Sequence, residues 1–287
     1  GGLLAAAIAE RPNWLNFALA VIGLVIAHAA NNMTNDYFDL AGGVDTNEYA
    51  RAQYAPHPIL AGLISERGLL AAILIFNLVD AGIMIYLALQ SGWQILVFAA
   101  LGLFISVFYV APPIKLKHHG LGEPGVFLVW GPLMIGGTYT VTAGELPPAG
   151  VWLACIPYAL VVTTVLMGKH IDKREADGAK GIHTIPVLIG EKPALTLNMA
   201  LMIAYYAAVA GLLLAGTVGI WVGLVVLAVP RLVRVIRIYL KPRPAEPPEN
   251  YPVWPLWYVA VAFYHNKLAG GLFVLGLVLN LLLSVHV

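Results

Sequence analysis

Eight long stretches of almost wholly apolar residues decide what this chain can fold into: Leu15–Met33, Leu69–Leu89, Trp93–Ala111, Gly125–Ala143, Val151–Met167, Ala194–Ala215, Val218–Tyr239 and Leu268–Val285. A helix needs about 20 mainly apolar residues to cross the hydrocarbon core of a bilayer. Within lipid, only helices and closed barrels satisfy their own backbone polar groups. Runs this long predict an all-α membrane protein, a bundle of transmembrane helices. The short run Leu3–Ala9 reads as the tail of a further helix, truncated in this sequence, which brings the expected number to nine. Composition agrees, since only 11% of residues are charged, against roughly 25% in soluble domains. Net charge is +1, which by itself says nothing about nucleic acid; no nucleic-acid partner is expected of a membrane-embedded chain, and the single Cys155 excludes a disulfide framework or a cysteine metal site.

The connecting segments alternate in character. Arg51, Arg67, Lys115, Lys117, Lys169, Lys173, Arg174, Lys180, Lys192, Arg231, Arg234, Arg237, Lys241, Arg243 and Lys267 all fall on one side, and only Arg11 falls on the other. The turns Gln90–Gly92, Gly144–Gly150 and Gly216–Thr217 carry no Lys or Arg. The positive-inside rule puts the basic loops in the cytoplasm. The expectation is one domain over 1–287, multi-pass in the cell membrane, with cytoplasmic loops near residues 36–67, 112–124, 170–192 and 241–267.

Two of those loops carry carboxylates. The first reads Asn31-Asn32-Met33-Thr34-Asn35-Asp36-Tyr37-Phe38-Asp39, then Gly42-Gly43-Val44-Asp45. It continues an apolar helix, and residues three and four apart share a helix face. His28, Asn32, Asn35 or Asp36, and Asp39 therefore form one stripe, with Asp45 returning past the Gly42-Gly43 break. The second loop holds Asp172, Glu175 and Asp177 among Lys169, Lys173, Arg174 and Lys180. Oxygen ligands suit Mg²⁺, which keeps waters and substrate phosphates in its shell, and interleaved cations suit phosphate oxygens. The mixture points to a metal–diphosphate site.

These residues resemble those of the UbiA-type intramembrane prenyltransferase superfamily, most closely its 1,4-dihydroxy-2-naphthoate polyprenyltransferases. The likeness rests on Asn35-Asp36-Tyr37-Phe38-Asp39 with Gly43-Val44-Asp45-Thr46, and on Pro58-Ile59-Leu60-Ala61-Gly62. It continues through Tyr109-Val110-Ala111-Pro112-Pro113, Gly120-Leu121-Gly122-Glu123 and Thr184-Ile185-Pro186-Val187. The resemblance implies nine helices around a cavity open to lipid and capped by cytoplasmic loops. It also implies Mg²⁺-dependent transfer of a polyprenyl chain from its diphosphate to an aromatic acceptor, in menaquinone biosynthesis for the naphthoate enzymes. Carried over by position, Asn35, Asp39 and Asp45 are metal ligands supported by Asp36, Lys117 contacts diphosphate, and Asp177 is the last acid of the second motif. Asp36, Asp39, Lys117 and Asp177 are the catalytic candidates. Arg51, Lys115, Lys117, Lys173 and Lys180 are the candidate diphosphate contacts, and His28, Asn32, Tyr109 and Tyr139 the candidate cavity residues.

The second motif departs from the family pattern. Counting back from Thr184, the family's first acid falls on Lys173, and the naphthoate enzymes' Asn pair on Lys169-His170. Asp172 comes one residue early, a rotation of about 100° on a helix, so it ligates metal only if the helix is distorted there. Glu175 is its alternative.

Rival readings remain. Asp80, in mid-span, would suit a secondary transporter, although the other carboxylates gather at helix ends. 4-Hydroxybenzoate, homogentisate, a chlorin or glyceryl phosphate are alternative acceptors. Arg231, Arg234 and Arg237 read as a lipid-headgroup anchor, and the proline-rich Lys241–Pro255 as a stiff loop.

Overall fold

The computed structural model describes residues 1–47, 49, 55–249, 251 and 254–283. Among these the regular structure is helical, with one isolated bridge between His119 and His183. A short α1 (Gly2–Ile8) precedes α2 (Trp14–Ala41). The α2 N-terminus is capped by Asn13, whose side chain accepts the N–H of Asn16 at 3.0 Å. The helix runs unbroken past Met33 and stops at Gly42-Gly43, where Gly43 takes φ 70°, a conformation open to glycine. Asn35, Asp36 and Asp39 therefore stand on the last turns of a long helix.

Ser65 caps α3 (Glu66–Ser91) by accepting the Gly68 N–H at 3.1 Å, and α4 (Gln94–Phe108) follows. Next, α5 (Gly122–Leu128) passes through a π-helical turn, Val129–Leu133, into α6 (Met134–Ala143). Pro132 lies in that turn and has no N–H to donate. Then come α7 (Ala149–Asp172), the short α8 (Arg174–Ala179) and α9 (Ile185–Ile189), and α10 (Glu191–Leu214). A 3-10 segment, Ile220–Ala228, leads into α11 (Val229–Tyr239), and α12 (Tyr258–Leu283) closes the described chain.

The helix at the centre is α7. Its Leu160 and Val161 pack with Tyr205, Val209, Val222 and Phe273, while Met167 and Ile171 pack with Met202, Leu232, Val235 and Tyr258. By contrast α3 exposes Leu74, Ile75, Leu78 and Val79. A continuous exposed apolar face of this kind belongs against lipid. Among the described residues, six helices are long and apolar enough to cross a membrane: α2, α3, the combined segment Gly122–Ala143, α7, α10 and α12.

Two expected boundaries move. The last helix starts at Tyr258, well before Leu268, because His265 points into the bundle and meets the Tyr206 hydroxyl at 2.8 Å. The run Val218–Tyr239 divides, and its α11 part is amphipathic. Leu232, Val235 and Tyr239 are buried, while Arg231 stacks 4.0 Å over the Tyr264 ring and donates to its carbonyl at 2.8 Å.

Candidate active site

At the end of α2, Asp39 accepts two hydrogen bonds from the Lys117 ammonium, at 2.8 and 3.1 Å. Lys117 comes from a short 3-10 turn, Leu116–His118, whose preceding residue Lys115 sits in left-handed backbone at φ 48°. The Gly42-Gly43 break sends the chain back on itself. The N–H groups of Val44 and Asp45 both donate to the Asp39 carbonyl, at 2.8 and 3.0 Å. Asp45 is thereby returned to the helix end, where its carboxylate, that of Asp36 and the His57 imidazole lie within 4.8 Å of one another, all buried.

The second segment folds onto the first. Tyr49 donates its hydroxyl to Asp177, and Lys180 donates to the Gly43 carbonyl at 2.9 Å. Val44, Tyr49 and Ile182 form a small apolar cluster beneath these contacts. The Lys173 ammonium lies 3.8 Å from Asp177 and 4.3 Å over the Tyr49 ring. Burial pushes the Lys173 ammonium down to about 8, partly opposed by Asp177, and it raises the Tyr49 phenol well above its ordinary range, with Asp177 adding to the effect. Tyr49 therefore stays a hydrogen-bond donor.

This donor set suits a hard cation with an anionic ligand. Asn35 Oδ1 and Asp177 Oδ2, one from each segment, are buried and have no hydrogen-bond partner among the described residues. Buried polar atoms are otherwise nearly always paired, so two open oxygens beside Asp39, Lys117 and Lys173 fit Mg²⁺ with a diphosphate.

The UbiA prenyltransferase family profile matches residues 1–266. The chain belongs to that family. A 1,4-dihydroxy-2-naphthoate octaprenyltransferase of Bacillus subtilis (strain 168) is 24% identical over 245 residues, covering 84% of this chain and 76% of the relative. A digeranylgeranylglyceryl phosphate synthase of Natronomonas pharaonis is 30% identical over 218 residues, covering 76% and 72%. Among solved structures, the apo UbiA homolog from Aeropyrum pernix K1 superposes with a TM-score of 0.69 at 20% identity, over 96% of this chain and 94% of that one. The UbiA homolog from Archaeoglobus fulgidus bound to GPP and Mg²⁺ gives 0.56 at 14% identity, over 95% of each chain. At such identities the structures establish the UbiA fold.

Within this UbiA-family fold, two expected residues are not where the sequence reading put them. Asp172 turns away from the site: its two carboxylate oxygens accept the N–H groups of Tyr258 and Val259, each at 2.9 Å, at the start of α12. The helix is not distorted enough to return it, and Lys173 takes the site-facing position instead. Tyr139 is fully buried with Leu4, Ala5, Val151, Ala154 and Leu212, and its hydroxyl faces Glu145 at 3.4 Å. It packs the end of the bundle remote from the carboxylates. Two clefts of about 420 and 250 Å³ open elsewhere, by Lys267 and by Trp93, and no residue of the polar cluster lines either. His28 and Asn32 do pair on α2, at 3.5 Å, and His28 meets the Trp130 ring edge to face. Arg51 lies outside the described residues.

Four residues were given no role from sequence: Tyr49, His57, Glu123 and His170. His170 Nδ1 meets Glu123 Oε1 at 2.7 Å, that same oxygen accepts the Ile185 N–H at 3.2 Å, and His170 Nε2 faces the Tyr109 hydroxyl at 3.5 Å. Tyr109 is thereby anchored by neighbours from α5 and α7. The Gly120-Leu121-Gly122-Glu123 match had pointed at Glu123, but no local pattern points to Tyr49 or His57.

Proposed function

We propose that this chain transfers a polyprenyl chain from its diphosphate to an aromatic acceptor, 1,4-dihydroxy-2-naphthoate in menaquinone biosynthesis. The observation that carries the reading is the joining of the two carboxylate segments, Asp39 with Lys117 and Tyr49 with Asp177, around two buried open oxygens. In this reading Asn35, Asp39, Asp45 and Asp177 hold Mg²⁺, with Asp36 behind them. When bound, the metal supplies charge neutralisation for the departing diphosphate.

The chain's own residues do the rest. Lys117, Lys173 and Lys180 sit among the carboxylates, and the first two are largely buried, so their attraction for diphosphate oxygens is little screened. As the allylic C–O bond breaks, its electron pair goes to the diphosphate, and these ammonium groups stabilise the charge that develops. The allylic carbon then bonds to an electron-rich ring carbon, and the ring regains aromaticity by releasing what that carbon held, a proton or, at the carboxyl-bearing carbon, CO₂. Water must be kept out meanwhile, and the apolar residues below the site serve that end. Aromatic faces such as Tyr109 and Trp130 stabilise a cation without trapping it.

The proposal extends to a single domain over 1–287 with nine crossing segments. The six long helices would be joined by α4, by Ile220–Tyr239 and by the start of the chain. The polar end faces the cytoplasm of the cell membrane. The basic loops support that orientation.

A second reading has its own observation. The 30% identity to a digeranylgeranylglyceryl phosphate synthase favours a glyceryl phosphate acceptor instead. Purified protein with labelled prenyl diphosphate, Mg²⁺ and each acceptor in turn decides between them. The naphthoate reading expects prenylated naphthoate, lost in Asp39→Ala and Asp177→Ala. Product from the glyceryl phosphate alone, or turnover untouched by both substitutions, would overturn it.

A further inference from the structure

His57 stands outside both carboxylate segments yet touches the first. Its Nδ1 accepts the backbone N–H groups of Ile59 and Leu60, at 3.2 and 3.4 Å. A ring nitrogen that accepts two N–H groups carries no proton, so in the neutral imidazole the proton is on Nε2. That N–H donates to the Asp36 carbonyl, 3.2 Å away, and Asp45 Oδ2 lies 3.6 Å from the same nitrogen. The ring is held firmly. The turn behind it is closed by Ala61 N–H to His57 carbonyl at 2.9 Å and Leu63 N–H to Pro58 carbonyl at 2.9 Å, and the side chain is buried.

The three groups Asp36, Asp45 and His57 have the spacing of a metal site, but the hydrogen bonds argue against His57 as a ligand. Ligation through Nε2 would require that nitrogen to lose its proton while Nδ1 still accepts two amides, leaving an anionic ring. A donor N–H beside the Asp45 carboxylate has a different use: it fixes the direction of Asp45, which arrives on a loop and not on a helix.

We propose that His57 is a positioning residue, which holds Asp45 through its Nε2–H in the orientation needed to ligate the metal and does not bind the metal itself. The inference rests on the reading of Asp45 as a ligand. Outer partners of this kind typically influence metal affinity about 10–100-fold when removed.

Two substitutions separate this role from the turn. Asn places an amide oxygen where Nδ1 stands, so His57→Asn keeps the acceptor for Ile59 and Leu60 and loses the reach to Asp45. Gln places an amide nitrogen near Nε2, so His57→Gln keeps the donor to Asp45. Mn²⁺ binding to the full-length protein in detergent, read from the loss of the free-ion electron paramagnetic resonance signal, is measured beside the thermal unfolding midpoint. His57→Asn should weaken Mn²⁺ binding by about tenfold or more with an unchanged midpoint, and His57→Gln should stay within about twofold of the parent. Equal loss in both, no loss in His57→Asn, or a lowered midpoint for His57→Asn overturns the proposal. Asp45→Asn is the control. If it leaves Mn²⁺ binding intact, the reading of Asp45 as a ligand fails and this proposal with it. If it weakens binding while His57→Asn does not, only the positioning role fails.

Discussion

Tyr49 donates its phenolic hydrogen bond to Asp177 across 128 positions of sequence, and this contact closes the first carboxylate segment onto the second. Hydrogen bonds to charged groups contribute about 1.5–3 kcal/mol. Tyr49→Phe removes the donor and keeps the ring under Lys173. Transfer is therefore expected to fall by about 10–100-fold, since each 1.4 kcal/mol is a factor of ten in rate, and the unfolding midpoint should fall as well, because the buried Asp177 loses a donor. Steady-state kinetics beside a thermal melt check this, and a parent-like rate would show that Asp177 needs no such partner.

Lys117 and Asp39 form a mostly buried ion pair. Removing one member of a buried pair leaves an uncompensated charge, at about 3–5 kcal/mol. Lys117→Met should accordingly lower the unfolding midpoint more than the double variant Lys117→Met/Asp39→Asn, which removes both charges. Both variants should lose transfer. A double variant less stable than Lys117→Met would mean that the pair is not coupled as its geometry indicates.

Asp172 caps α12. Asp172→Ala is expected to cost about 0.5–2 kcal/mol, as loss of a helix cap does, and to leave the Mg²⁺ concentration for half-maximal activity unchanged. Chemical unfolding and a Mg²⁺ titration of activity test the two halves separately. A shifted Mg²⁺ requirement at unaltered stability would restore Asp172 to the metal site.

Glu123 holds His170 and the Ile185 N–H with one oxygen. Glu123→Ala strips two buried donors of their acceptor, at about 1–3 kcal/mol each, so the melting temperature should drop sharply. Glu123→Gln keeps one acceptor oxygen and should recover most of the loss. If alanine melts no lower than glutamine, the contact contributes little.

Much of the first carboxylate segment was legible before the structure. Asn35 and Asp39 are one helical turn apart, and a break at Gly42-Gly43 must turn the chain, so a returning Asp45 could be anticipated. The second segment was legible only in part. Spacing alone left Asp172 and Lys173 competing for one position, and the winner was decided by the start of α12, which takes both Asp172 oxygens. The last helix shows the opposite case: the expected span began only at Leu268, yet α12 runs through His265, which finds its partner in Tyr206.

The sequence by itself determined the helical membrane-spanning character and the polar end where the chemistry gathers. Long apolar runs must satisfy their backbone hydrogen bonds internally, and helical periodicity is a local property. Only the tertiary structure decided which polar groups meet. Tyr49 with Asp177, Asp39 with Lys117 and Asp172 with α12 each join elements far apart in the chain, and such pairings depend on how the helices pack, which no local spacing records.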